Sequence, residues 1–295
     1  MTVAIACEFQ DGVLFCADTK ITTGQEKAHE SKIYSHTWGS EIKNGVTVFA
    51  VSGNADYAAA AIEKCERAIG RQNFLETSLD EMQDAIELVL SGFYQIHVFP
   101  HPDRSQVEFF LLIGLWLSGE TRILATHGTT LRVVQGYDCV GSGGYLARYW
   151  LQEALGPSNK FHPEDLTLPE ASLIIEHAIK SAVEYDDFCG GEIEFMGMRR
   201  TGEINEIGDL RECAYLGDFP DSLRSASWKL LRRLAKSEGI TEQEIAVDGF
   251  CDAVRELHKP VVSSLKLFER MKELRNAAFS GEDSSSDLQE SEDES

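Results

Sequence analysis

The sequence predicts an α+β fold in which two stacked sheets are covered by helices on their outer faces. Two observations carry this. The patterning runs strands, two helices, strands, two helices, strands, and each amphipathic element in that order has an apolar face to cover. The strand segments are joined by hairpin turn signals and the helix segments open on capping signals. Patterning alone leaves other α+β arrangements open.

Residues 2–9 and 13–18 read as strands around Asp11-Gly12, a strong two-residue hairpin signal. That turn pairs Gln10 with Val13 and sets Thr2 opposite Ile21; registers one residue away set it opposite Lys20 or Thr22. In each, Asp18 and Lys20 come near the start of the chain. Residues 32–38 and 46–52 form a second hairpin with Asn44-Gly45 in its turn. Ala55 to about Arg71 is Ala-rich with helical apolar spacing, and Ser78-Leu79-Asp80-Glu81 is a capping box for a helix running to about Gln95. Strands follow at 107–117 and 121–127, joined by Ser118-Gly119-Glu120, with another near 138–141. Helices are expected over 144–155 and from Thr167, with Pro169 in the first turn, to Tyr185. A closing hairpin pairs 192–199 with 204–208 around Thr201-Gly202-Glu203. Residues 209–280 read as a helical extension, with helices at about 222–237, 241–257 and 260–278. Residues 281–295 are acidic and serine-rich, and too polar to order themselves.

The net charge of −22 argues against nucleic acid and against an anionic membrane surface, because both need clustered Lys and Arg. No run reaches 18 apolar residues, so no transmembrane helix is expected, and the first residues read as a strand and not as a secretory signal. A cytoplasmic location follows as an expectation. The seven cysteines are scattered, without a Cys-x-x-Cys pair, and read as reduced thiols. The histidines, including His97 and His101 around Pro100, lack metal-ligand spacing. Gly141-Ser142-Gly143-Gly144 lacks the Gly-Lys-Ser/Thr ending of a phosphate loop. No metal or cofactor is expected.

Thr2 is the most informative residue. If Met1 is trimmed, its hydroxyl and a free α-amine, which titrates near about 7.7–8.0, share one residue. Such a threonine carries its own nucleophile and base. A nearby carboxylate such as Asp18 can orient both groups; otherwise Thr2 is a frayed terminus and Asp18 an ordinary strand-end acid.

Several boxes in order resemble the proteasome β-type subunit family: Thr2 with the hairpin after it; Ala17-Asp18-Thr19-Lys20; Lys32-Ile33; Ser52-Gly53-Asn54-Ala55-Asp56; Val140-Gly141-Ser142-Gly143-Gly144; and Asp186-Asp187-Phe188-Cys189-Gly190-Gly191. The second glycine pair resembles the family's bacterial ATP-dependent relatives. The likeness covers residues 2–208 and leaves 209–280 as an atypical extension. The loop before Lys32 and the Ser52–Asp56 box are short against the family pattern, and Cys189 stands where the family has serine. The resemblance selects the four-layer αββα sandwich of the N-terminal-nucleophile hydrolase type.

It also implies roles. Thr2 would be the nucleophile, and Lys32 a cation lowering the hydroxyl pKa, paired with Asp18. Ser142, Asp186 and Cys189 would tune the Thr2 amine, and the Gly53 N–H would meet the oxyanion. Val51 and Asn54 would border the substrate pocket, with Ile21 and Thr22 beside an extended substrate strand. The implied activity is a threonine endopeptidase acting on peptides or unfolded polypeptide in a homo-oligomeric ring, and the resemblance admits an ATPase or unfoldase partner. The alternatives are a catalytically silent assembly or binding protein, and an amidase of small amides.

Overall fold

The computed structural model describes residues 2–23, 26–39, 44–72 and 77–206. The expected extension over 209–280, the acidic tail and the last two residues of the closing hairpin lie outside them. In chain order the strands begin with β1 (Val3–Phe9), β2 (Gly12–Asp18), β3 (Lys20–Thr23), β4 (Glu26–His29), β5 (Ile33–Gly39) and β6 (Asn44–Gly53). Helices α1 (Ala55–Ile69) and α2 (Leu79–Phe93) follow, then β7 (Phe109–Leu117), β8 (Glu120–His127), β9 (Thr130–Val134) and β10 (Tyr137–Gly141). Helices α3 (Gly144–Leu155) and α4 (Leu168–Tyr185) precede β11 (Ile193–Arg199) and β12 (Ile204–Glu206).

The described residues are thus α+β, with four α-helices and two five-stranded antiparallel sheets of order β10-β1-β2-β11-β12 and β5-β6-β7-β8-β9. A separate ribbon pairs β3 with β4. The period of two divides β1 between two cores. Val3, Ile5 and Cys7 pack with Leu151, Ile175 and Ile179 of α3 and α4. Ala4 and Ala6 pack with Phe15 and with Val48, Ala50 and Leu112 of the second sheet. On that sheet's other side, Phe49, Val51 and Leu111 meet Ile62, Met82 and Ile86 of α1 and α2. The helix starts follow the sequence closely: Ser78 and Glu81 form the reciprocal capping box of α2, and Thr167 and Glu170 that of α4.

Four expectations need correction. The first hairpin pairs Phe9 with Gly12 and Ala4 with Ala17, so its turn residues are Gln10 and Asp11, and the register sits two residues from the main expectation. Extended by two residues, that register sets Thr2 against Thr19, not Ile21. Asn44-Gly45 is not a turn, because both residues belong to β6, opposite Gly39 and Trp38. A Cβ at Gly45 would overlap the Trp38 ring, whose indole N–H donates to Thr47 Oγ1 at 2.9 Å. Strands β3, β4 and β9 lie where no strand was expected, and α2 ends at Phe93 in a π-helical turn over Tyr94–Val98.

Candidate active site

Thr2 lies where β1 begins, 2% exposed. The chain turns it inward because its neighbour Val3 pairs with Gly141 of β10. At Gly141 φ is +100° and a Cβ would overlap the Thr2 carbonyl, so close approach and backbone conformation both call for glycine there. Asp18, at the far end of β2, is fully buried. Its Oδ1 accepts from the Thr2 hydroxyl, from Val3 N at 3.0 Å and from Lys32 Nζ at 3.0 Å. Its Oδ2 accepts from Gly190 N at 2.8 Å. Lys32, just before β5, also donates to the Thr2 hydroxyl and to the Lys20 carbonyl at 2.5 Å. One threonine hydroxyl therefore lies between a buried ammonium and a buried carboxylate.

Burial lowers the Lys32 pKa from its ordinary value, and the charge and hydrogen bond of Asp18 work against that fall, with Glu194 adding to Asp18's effect. Glu194, on β11, also accepts weakly from Lys32 N at 3.4 Å.

Asp186, Cys189 and Ser142 gather beside this centre. The Cys189 thiol donates to Asp186 Oδ2 at 3.4 Å, and Ser142 Oγ lies 4.0 Å from the sulfur. Burial, then the charges of Asp18 and Asp186, push the Cys189 thiol up to about 12, so it stays protonated. Burial raises the Asp186 carboxyl, but hydrogen bonds from Ser142, Phe188 N and Cys189 outweigh it and leave the pKa below the ordinary value. Among the described contacts none of these three side chains bonds to Thr2. They reach the centre through the backbone, by Gly190 N on Asp18 and by the Val3–Gly141 pair.

A cleft of about 30 Å³ opens over Thr2, lined by Lys20, Ile21, Tyr34, Val51, Ser52 and Gly53 among others. It brings Ile21, Val51 and Gly53 together with Thr2. Asn54 is occupied elsewhere: its Oδ1 accepts from Tyr57 N at 3.0 Å as the cap of α1, and its Nδ2 donates to the Gln106 carbonyl at 2.8 Å. Thr22 sits on β3 opposite Lys27.

Sequence reasoning missed Tyr34 and the structural role of Lys20. Tyr34 follows Lys32 by two residues, and strand alternation would have put it on the same face. Lys20 belongs to the Ala17–Lys20 box, yet its work is structural. Its Nζ donates to the Asp187 and Cys189 carbonyls at 2.5 and 3.1 Å, and its N to the Gly190 carbonyl at 2.9 Å. It ties the loop carrying Asp186 and Cys189 to the strand whose carbonyl holds Lys32.

No protein-family model and no curated protein matches this sequence. Solved structures do match, and their fold is that of the proteasome-like N-terminal-nucleophile hydrolases. More particularly, the matching structures are Anbu proteins. A Gly-1 mutant of Anbu from Hyphomicrobium sp. strain MC1 matches with TM-score 0.61 and 16% identity, over 81% of this chain and 99% of that one. Anbu (ancestral beta-subunit) from Yersinia bercovieri matches with TM-score 0.60 and 13% identity, over 81% and 99%. The helical assembly of the Anbu complex from Pseudomonas aeruginosa gives 0.59 and 13%, over 81% and 99%. This corrects the proteasome β-type assignment, since Anbu is a related but distinct family. The boxes that suggest the β-type family lie around Thr2, Asp18 and Lys32, and their likeness does not separate two related families. No helix among the described residues is long and apolar enough to cross a membrane.

Proposed function

We propose that this chain is an Anbu-like N-terminal-nucleophile hydrolase in which Thr2, freed by removal of Met1, attacks an amide carbonyl. The observation that carries the reading is the buried Thr2 hydroxyl held between Lys32 Nζ and Asp18 Oδ1. A threonine kept merely for packing needs neither charge. In this mechanism the α-amine takes the hydroxyl proton as Oγ bonds to the carbonyl carbon. Lys32, whose charged form Asp18 favours against burial, stabilises the forming alkoxide, and the Gly53 N–H meets the oxyanion, a contact worth about 2.7–4 kcal/mol in such sites. The protonated amine then gives its proton to the leaving nitrogen, and water hydrolyses the ester on Thr2.

The three cores support reading the layers of the described residues as the αββα sandwich of this hydrolase class. The narrow cleft, walled by Ile21, Tyr34 and Val51, favours an extended peptide with an apolar side chain before the cut, making the enzyme a threonine-type peptidase. The helical Anbu assembly from Pseudomonas aeruginosa supports a homo-oligomer. A second reading, a catalytically silent assembly protein, draws on the long contacts of Cys189 to Asp186 and Ser142, since a thiol is the weaker donor.

Intact mass of protein made in cells, before and after an epoxyketone that needs both the hydroxyl and the amine of a terminal threonine, separates the readings. Loss of Met1 with one adduct, absent in Thr2→Ala, is the expected result. A retained Met1 overturns the hydrolase reading, and trimmed but unlabelled protein favours the silent one.

A further inference from the structure

The opposite end of β1 from Thr2 carries a second cluster of charge. Asp138 on β10 pairs with Ala6, four residues along the strand from Thr2, or roughly 13 Å at strand rise. Its side chain is 6% exposed and accepts from two arginines. Arg148 Nη2 of α3 donates to Oδ1 and also to the Cys139 carbonyl at 2.8 Å, while Arg132 Nη2 of β9 donates to Oδ2. Cys139 N donates to Oδ1 at 2.8 Å. The carboxylate is thus fully engaged, but one negative charge faces two positive ones. The arginine side chains remain 59% and 51% exposed, and only their Nη2 groups are engaged by Asp138.

Both border a recess of about 290 Å³, whose other polar lining includes Gln152, Ser158 and Asn159. Among the described residues Asp138 is the only acid lining it, in a chain of net charge −22. A second recess of about 350 Å³ adjoins across Ser158 and Asn159, leaving space for the body of a ligand. A planar guanidinium matches the oxygens of carboxylate or phosphate two at a time. Here a buried carboxylate holds two of them in fixed orientation, which removes part of the ordering cost of binding.

We propose that this recess is a binding site for a small oxyanion, a carboxylate or phosphate group on a metabolite-sized ligand, gripped by Arg132 and Arg148 and positioned by Asp138. It is separate from the Thr2 cleft and independent of the hydrolase reading.

Titration calorimetry on the full-length protein, with inorganic phosphate and with citrate against chloride at matched ionic strength, tests it. The wild type should give saturable heat with at least one oxyanion, and which of the two binds separates phosphate from carboxylate chemistry. Losing a charge-assisted contact should weaken binding about tenfold or more in Arg132→Gln and in Arg148→Gln. Arg148→Lys keeps the charge and loses the fork, so it should weaken binding too, and it serves if Arg148→Gln does not fold. Arg67→Gln, which removes the same charge from α1, should bind as the wild type does. No saturable binding to the wild type, undiminished binding in the arginine variants, or an equal loss in Arg67→Gln would each overturn the assignment.

Discussion

Asp18→Asn is the perturbation that most directly tests the buried pair at Thr2. It keeps the volume and removes the charge. Lys32 and Asp18 side chains are 7% and 0% exposed and sit 3.0 Å apart, so water cannot compensate for the loss. Three donors converge on Oδ1, so the asparagine carbonyl would turn there. Its amide would then face the Gly190 N–H that Oδ2 now accepts, donor against donor. Breaking a buried pair from one side costs about 3–5 kcal/mol. The assay is urea unfolding at one protein concentration, followed by circular dichroism across pH. Burial already lowers the Lys32 pKa, and Asp18 resists that fall. Without Asp18 the folded value drops further below the unfolded value of about 10.4. Between those two values the unfolded chain binds a proton that the folded chain does not, so stability rises with pH. The deficit of about 3–5 kcal/mol at pH 7 should therefore narrow as pH climbs towards 10. A deficit below about 1 kcal/mol, or one that widens with pH, would refute a charged, mutually dependent pair.

Two glycines give further tests. Gly45→Ala would push a methyl into the Trp38 ring and should cost about 1–3 kcal/mol, read from the urea midpoint and tryptophan fluorescence; an unchanged midpoint would show that the ring does not rest on that backbone. Gly141→Ala forces a φ of +100° on alanine and a Cβ onto the Thr2 carbonyl, so Thr2 must move; epoxyketone labelling should slow by about 100-fold, the scale of a 1 Å misplacement, and wild-type labelling would separate Gly141 from the placement of Thr2.

The elements legible in the sequence were those whose signals are local. Helix starts at Ser78 and Thr167 came from side chains that bond within one turn. The hairpin register failed because its glycine answers to a distant strand. Gly12 opens β2 and pairs with Arg199 of β11, and a Cβ there would overlap the Met198 carbonyl and lie 2.9 Å from Arg199 Cα. Asp11-Gly12 looked like a turn pair, but the glycine serves a contact 187 residues further on. Gly45 misled in the same way, reserved for Trp38 and not for a turn. Strands β3, β4 and β9 escaped notice because they are short, and residues such as Lys20, Lys27 and Arg132 interrupt their apolar alternation, as is usual for strands at edges.

The site residues were legible as types and not as energies. Nothing in a sequence shows that Asp18 is fully buried or that Lys32 loses water, and those facts change what the pair means. Burying an ammonium and a carboxylate costs several kcal/mol per ion, and apolar residues of the same size would often stabilise a fold as well or better. The surroundings were available for that, since Ile33, Ala17 and Val51 lie in the adjoining cores. The chain instead supplies the pair with five further contacts: the Thr2 hydroxyl to each partner, Val3 N, Gly190 N and the Lys20 carbonyl. Four separate segments must meet to provide them, and Lys20 is itself tied to the loop that carries Gly190. A costly charged pair, held by that many partners around a single hydroxyl, is poor economy for stability. It makes physical sense if the hydroxyl has to react.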